Sequence, residues 1–362
     1  MPLSLRMPAA RPRLLWPLAA LALLLAYDGA FTEHFFRVRL GQDGRLFGTP
    51  VDVLHHASSL VLLALGMTLV IATGGVDLSV GATMAIAGTV AAVWVRDHGG
   101  GATLGCGLAV LAGAACGAWN GLLVAVVDVP PIVATLILMR AGRGVAELLG
   151  SNQTVTLTGT PLGWLSHVPA WPGTGAAHWL YARLAYPVPL DVVWAVAAIV
   201  AIAWLTRRTA LGLFLEAVGN NPLASRYAGV NARMVTFAAY LACGATAGFA
   251  GLLETADLNA SPIGLGDSRE LDAILAVTLG GTALAGGRFS LAGAVIGALT
   301  IVTLNQTIQL AHVRGRQIPN MWFQVVEAIA ILGVCLLQSA KFRGLLGRAA
   351  RVPRWGTRAV DG

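Results

Sequence analysis

ASSLVLLALGMTLVIATGGVDLSVGA, residues 57–82, carries no charge over Ala57 to Val76 and then sets Asp77 in a glycine-rich break before a second apolar run. About twenty apolar residues are what a helix needs to cross ~30 Å of hydrocarbon, so this is a membrane span that ends on a polar interruption. A carboxylate at such a depth is costly, which makes Asp77 a functional suspect together with its neighbours Thr73 and Ser79. A structural role is equally open to it. Gly74 and Gly75 can end one helix while Asp77 caps the next, and the two roles are compatible.

The rest of the chain has the same character. Hydrophobic residues make up 56% and charged residues 11%, with 44 glycines, a composition suited to a polytopic all-α membrane protein whose helices pack through small residues. The net charge of +7 does not point to nucleic acid, because the basic residues are scattered through loops and tails instead of forming a stripe with interleaved aromatics. Cys106, Cys116, Cys243 and Cys335 lie in apolar runs without metal spacing and read as small buried hydrophobes. The basic, apolar N-terminus lacks a convincing small-residue cleavage site and reads as a retained first span.

Apolar runs of sufficient length fall near 14–31, 54–72, 77–95, 103–127, 132–150, 188–206, 234–256, 271–286, 289–311 and 321–339, about ten spans within a transmembrane domain of 14–339. Placing residues 1–13 and 340–362 in the cytoplasm puts Arg207, Arg208, Arg226, Arg233 and both basic tails inside, as the positive-inside rule requires. Residues 151–187, rich in Trp, Tyr, Pro and Gly, then form a periplasmic loop at the outer interface. The connections at 74–77 and 286–289 are very short and read either as turns or as tips of re-entrant helices. A weak echo relates Gly74–Gly81 to Gly280–Gly287, as in a duplicated transporter core.

Few polar residues lie within the spans. Asn120 suits an interhelical hydrogen bond or a pathway contact; Thr135, after Pro130 and Pro131, suits repair of freed backbone; Asn305 sits in the middle of a later span. Arg140, Arg143 and Glu147 share a helix face and read as an internal salt-bridged strut. Glu254 and Asp257 near an outer end and Glu327 beside Gln324 complete the inventory. No histidine–carboxylate cluster at metal spacing, nucleophile elbow or phosphate-binding loop is visible, so neither a metal, nor a cofactor, nor catalysis is expected. The cytoplasmic segment 207–233 mixes charge, glycine and Asn-Asn-Pro with short amphipathic pieces. It fits either a basic connector or a docking element for a cytoplasmic partner.

Four segments in order, GMTLVIATGGVDLSVGATMAIAG (66–88), PPIVATLILMRAGRG (130–144), LGLFLEAVGNNPLASRYAGVNA (211–232) and ELDAILAVTLGGTALAGGRFSLAGAVIGALTIVTLNQTI (270–308), resemble the ribose/xylose/arabinose class of ABC-transporter permeases. QDGRLFGTPVDVLHHAS (42–58) looks closest to the galactofuranose-type branch. The resemblance implies a bacterial inner-membrane subunit that pairs with a second or related permease, with cytoplasmic ABC ATPases and with a periplasmic sugar-binding protein. It also implies that Glu216, Ala217, Gly219, Asn220 and Asn221 couple to the ATPase. Thr73, Asp77, Ser79, Asn120, Thr135 and Asn305 are the candidates for the pathway or its hinge. A nucleoside or branched-chain amino-acid permease, or an ion-coupled secondary transporter, are the rivals; the last would need paired deep acids that this chain nearly lacks.

Overall fold

The computed structural model describes residues 14–32, 34–40, 46–98, 102–157, 162, 188–310 and the short pieces 312–313, 316–317, 325, 328–329 and 332. In order these form α1 (Leu15–Phe31), β1 (Arg39–Leu40), β2 (Leu46–Phe47), α2 (Thr49–Ala72), α3 (Val80–His98), α4 (Ala102–Ala125), α5 (Pro131–Leu149) and β3 (Val155–Thr156). There follow α6 (Leu190–Arg208), α7 (Leu211–Asn220), α8 (Pro222–Tyr227), α9 (Ala232–Leu258), β4 (Ala260–Ser261), α10 (Arg269–Leu279), α11 (Leu291–Leu310), β5 (His312–Val313) and β6 (Arg316–Gln317). The strands are two-residue antiparallel pairs, β1 with β2, β3 with β4 and β5 with β6. The protein is all-α in architecture. Residues 1–306 form one compact unit and 307–362 a second.

Local chemistry fixes the helix ends. Pro130 holds extended backbone (φ −52°, ψ 131°) and Pro131 opens α5, where its missing N–H costs nothing. The double proline is thus a start signal. Asn221 and Asn231 cap α8 and α9, their side-chain oxygens accepting from Ala224 N at 2.9 Å and Met234 N at 3.2 Å.

Among the described residues α2, α4, α6, α9 and α11 are long and apolar enough to cross a membrane. The centre of α2 is 83% buried, sheathed by its neighbours, whereas α6 is only 22% buried. The expected span at 271–286 differs. Its helix, α10, is 11 residues long, about 16 Å, too short to cross alone. It stops because Gly280 and Gly281 terminate it. The expected span at 321–339 apart from 325, 328–329 and 332, the residues Gln324, Glu327, Cys335 and Lys341, both tails, and residues 158–161 and 163–187 of the loop lie outside the described residues.

Glycine explains how closely the helices approach. A Cβ on Gly117 of α4 would meet the Tyr240 carbonyl and come within 3.0 Å of Gly244 Cα in α9. Gly113 faces Gly244 and Gly248 in the same seam. Two four-residue glycine repeats therefore interlock backbone to backbone, the packing that a lipid-embedded protein uses in place of a hydrophobic driving force. Gly66 of α2 sits on Cys243, and Gly251 on the Met84 backbone, so α9 becomes the spine joining α2, α3 and α4.

Candidate functional site

Helix α2 ends in a left-handed glycine. Gly74 has φ 85°, and the Gly75 N–H returns to the Val70 carbonyl at 3.2 Å. After α10 the same turn recurs: Gly281 has φ 86° and the Thr282 N–H returns to the Val277 carbonyl at 3.2 Å. The sequence echo is therefore a structural one, with Gly74 matching Gly281 and not Gly280, one residue away from the alignment of identical letters. Both expected interruptions are breaks several residues long, at 73–79 and 280–290, each followed by a long helix.

The first break is closed by a polar knot. Asp77 is 1% exposed, and Ser79 and Asn120 are fully buried. Asp77 Oδ1 accepts from the Ser79 N–H at 2.9 Å, from Ser79 Oγ at 2.6 Å and from Asn120 Nδ2 at 3.3 Å. Asn120 Nδ2 also donates to Ser79 Oγ at 2.8 Å, and the Cys243 thiol bonds to Asp77. The Tyr240 hydroxyl donates to the Val76 carbonyl at 3.4 Å. Thr135 Oγ1 lies 2.9 Å from the Pro131 carbonyl and 3.5 Å from that of Val76, pairing backbone on both sides of the α5 start. Thus Asp77 and Ser79 of the non-helical stretch are met by Asn120 from α4 and Thr135 from α5, with α9 behind it. Asn305, half-buried in α11, forms no part of the knot.

Thr73 instead faces a cavity of about 330 Å³. Its walls are the glycine break, the end of α4, Asp128 and the double proline, Val218 and Arg226 of the 207–233 segment, and the start of α9. Asp77 lies behind this wall, not on it. The cavity joins the break to the 207–233 segment.

The coupling candidates divide by environment. Gly219 lies against the Ala72 carbonyl and the Gly287 amide so tightly that no Cβ fits. The Gly287 N–H donates to the same Ala72 carbonyl at 2.9 Å, and Gly286 approaches Gly74 backbone. Helix α7 is thereby wedged against both glycine breaks at once. Asn220 Nδ2 returns to the Glu216 carbonyl at 2.7 Å while its side chain borders Gly287. Glu216 is half-buried in a groove with Arg207 and Phe289, Ala217 is half-buried, and the Asn221 side chain is spent on its helix cap. Of the five, Gly219 cannot be a simple surface contact. The broadly exposed apolar side chains of the segment, Leu213 at 69%, Leu223 at 60% and Tyr227 at 86%, were not singled out from sequence. Their place on the outer face of two short amphipathic helices was the available signal.

Two expectations are corrected. Arg143 does not brace Glu147: it donates to the Leu265 and Gly266 carbonyls at 2.9 Å each and pairs with Asp267 and Glu270, while Arg140 and Glu147 are exposed. The loop before α10 offers the guanidinium two carbonyls and two carboxylates, more than one helical neighbour can. A histidine–carboxylate cluster also exists, around His55, Asp191 and Asp257, assembled from positions too far apart in the chain for spacing to reveal it.

Comparison with known proteins agrees with this architecture. Residues 49–335 match the family described as branched-chain amino acid transport system / permease component. The chain is 45% identical to the galactofuranose transporter permease protein of Escherichia coli K12, over 92% of this chain and 93% of that one. It is 34% identical to the ribose import permease protein of the same strain, over 90% and 93%. It is 33% identical to the fructose import permease protein of Bifidobacterium longum, over 93% and 91%. No solved structure matches the chain. By the extent of these matches, the chain is a multi-pass inner-membrane protein belonging to the branched-chain amino acid transport system / permease component family.

Proposed function

We propose that this chain is the membrane-spanning subunit of an ATP-driven importer of a monosaccharide of the galactofuranose kind. A separate cytoplasmic ATPase supplies the energy, a periplasmic binding protein delivers the sugar, and a second copy or a related permease completes the passage. The substrate class rests on the similar galactofuranose, ribose and fructose permeases. The observation that carries the mechanism is the wedge of Gly219 against Ala72 and Gly287. A displacement of α7 is passed directly to the end of α2 and to the break between α10 and α11, and α3 follows the first in the chain as α11 follows the second. A push from the cytoplasmic side therefore reaches two pairs of helices together, which suits alternating access by rocking of packed elements.

Co-expression with a cognate ABC ATPase and a cognate sugar-binding protein, followed by reconstitution into proteoliposomes with ATP inside, tests this reading. Vanadate-sensitive accumulation of labelled galactofuranose, in preference to ribose, is expected. Uptake that follows an imposed ion gradient without ATP would overturn the energy source. Saturable uptake of a nucleoside or a branched-chain amino acid, with none of any sugar, would overturn the substrate.

A further inference from the structure

Three helix ends meet at His55. Its Nδ1 lies 2.6 Å from Asp191 Oδ2 in the first turn of α6, and its Nε2 lies 2.9 Å from Asp257 Oδ1 in the last turn of α9. His56 stands beside it, the two rings 5.2 Å apart, and is exposed. One ligating atom each of His55, His56 and Asp257 falls within 4.8 Å of the others. Asp191 is 4% exposed, and its Oδ1 is buried without a hydrogen-bond donor among the described residues.

We propose that His55, His56 and Asp257 form a binding site for a first-row divalent cation of the zinc class, with Asp191 as the carboxylate that orients His55. The donor set is right for such an ion: two imidazoles and a carboxylate, with the exposed side of His56 leaving a fourth position to water. The Asp191 contact is the second observation. A histidine whose far nitrogen is held by a buried carboxylate has its tautomer and ring direction fixed, with the other nitrogen turned toward the metal. The ion would tie α2 to α9 directly and α6 through Asp191. The site lies at the opposite end of α2 from the Gly74 break, so it is distinct from the coupling wedge.

The test uses the purified full-length protein in detergent, stripped with chelator and titrated with zinc by calorimetry and with cobalt by its ligand-field absorption. One saturable site per chain is expected, with cobalt bands of tetrahedral type. His56→Ala should weaken zinc at least about tenfold, and Asp191→Asn by about 10–100-fold. His56 is exposed and outside the His55–carboxylate contacts, so His56→Ala should leave the metal-free melting temperature unchanged. Added zinc should raise the melting temperature of the parent and not of His56→Ala. Absence of saturable binding, or equal affinity in the parent and His56→Ala, would overturn the site and leave His55 as a purely structural clamp between two carboxylates.

Discussion

The Gly287 amide donates to the Ala72 carbonyl at 2.9 Å, joining the break after α10 to the last residue of α2, and Gly219 closes over the same carbonyl. A helix-terminal carbonyl lacks an intrahelical partner and must find one elsewhere. Here it is satisfied by the other half of the repeat, under the roof of α7. The three segments are therefore registered to each other by backbone, not by side chains that a substitution would simply trim.

Gly219 is consequently sensitive to the smallest added atom. Gly219→Ala should reduce uptake at least about tenfold, because its methyl would push α7 off the Ala72 carbonyl, and crowding of this kind costs about 1–3 kcal/mol. Membrane insertion should be unchanged. Basal ATP hydrolysis of the assembled complex should persist while stimulation by the loaded binding protein is lost. Proteoliposome uptake beside ATPase assays reads both, and wild-type stimulation in Gly219→Ala would show that the wedge carries no signal.

Leu213, Leu223 and Tyr227 should carry affinity for the ATPase. Each is broadly exposed on the 207–233 segment, and large apolar or aromatic side chains are the typical anchors of such contacts, at about 1–4 kcal/mol each. Alanine at all three should abolish co-purification of the ATPase without lowering the melting temperature of the isolated subunit. Retention of the ATPase by the triple variant would place the contact elsewhere, with the half-buried Glu216 groove the next position to examine.

Topology follows from the basic residues and has an independent readout. Asn220→Cys should react with an impermeant maleimide only in inverted vesicles, and Gln153→Cys only in whole cells. Both positions are exposed, Cys106, Cys116 and Cys243 are wholly or partly buried, and Cys335 is replaced by serine in both variants to remove its background. Labelling of residue 220 from outside would invert the assignment.

Much of this architecture could be read from sequence, for identifiable reasons. Apolar length located α2, α4, α9 and α11 because lipid imposes one constraint on every span. Glycine and proline punctuation located the break at 74 and the start of α5, since each residue acts on its own backbone; the end of α10 was placed seven residues too late, because Gly280 and Gly281 were read as lying within a span. What escaped were pairings across the chain. Asp77 was legible, but its partner Asn120 lies 43 residues away, and the Asp191–His55–Asp257 contacts join three helices. Arg143 was misassigned for the same cause: helical spacing offered Glu147, whereas tertiary packing offered a better-furnished loop. Gly219 looked like a surface position because nothing local signals that a helix will be wedged against two others.

Asp77 separates an anchoring role from a requirement for its charge. In the observed arrangement one carboxylate oxygen accepts every bond from Ser79 and Asn120, and the side chain lies behind the cavity wall, so its first task is to hold the break against α4. Asparagine keeps one acceptor oxygen of the same shape. Asp77→Asn should therefore retain most uptake and melt close to the parent. Asp77→Ala leaves the buried Ser79 N–H and hydroxyl without the acceptor they share, at about 1–3 kcal/mol, and should lower both stability and uptake. Ser79→Ala should fall between: it removes one donor to Asp77 and the oxygen that accepts from Asn120, but leaves Asn120 the Asp77 carboxylate to bond. Uptake at matched expression and thermal unfolding in detergent are the paired measurements. If Asp77→Asn melts like the parent yet does not transport, the charge itself takes part in moving the helices, and anchoring is only half of its role.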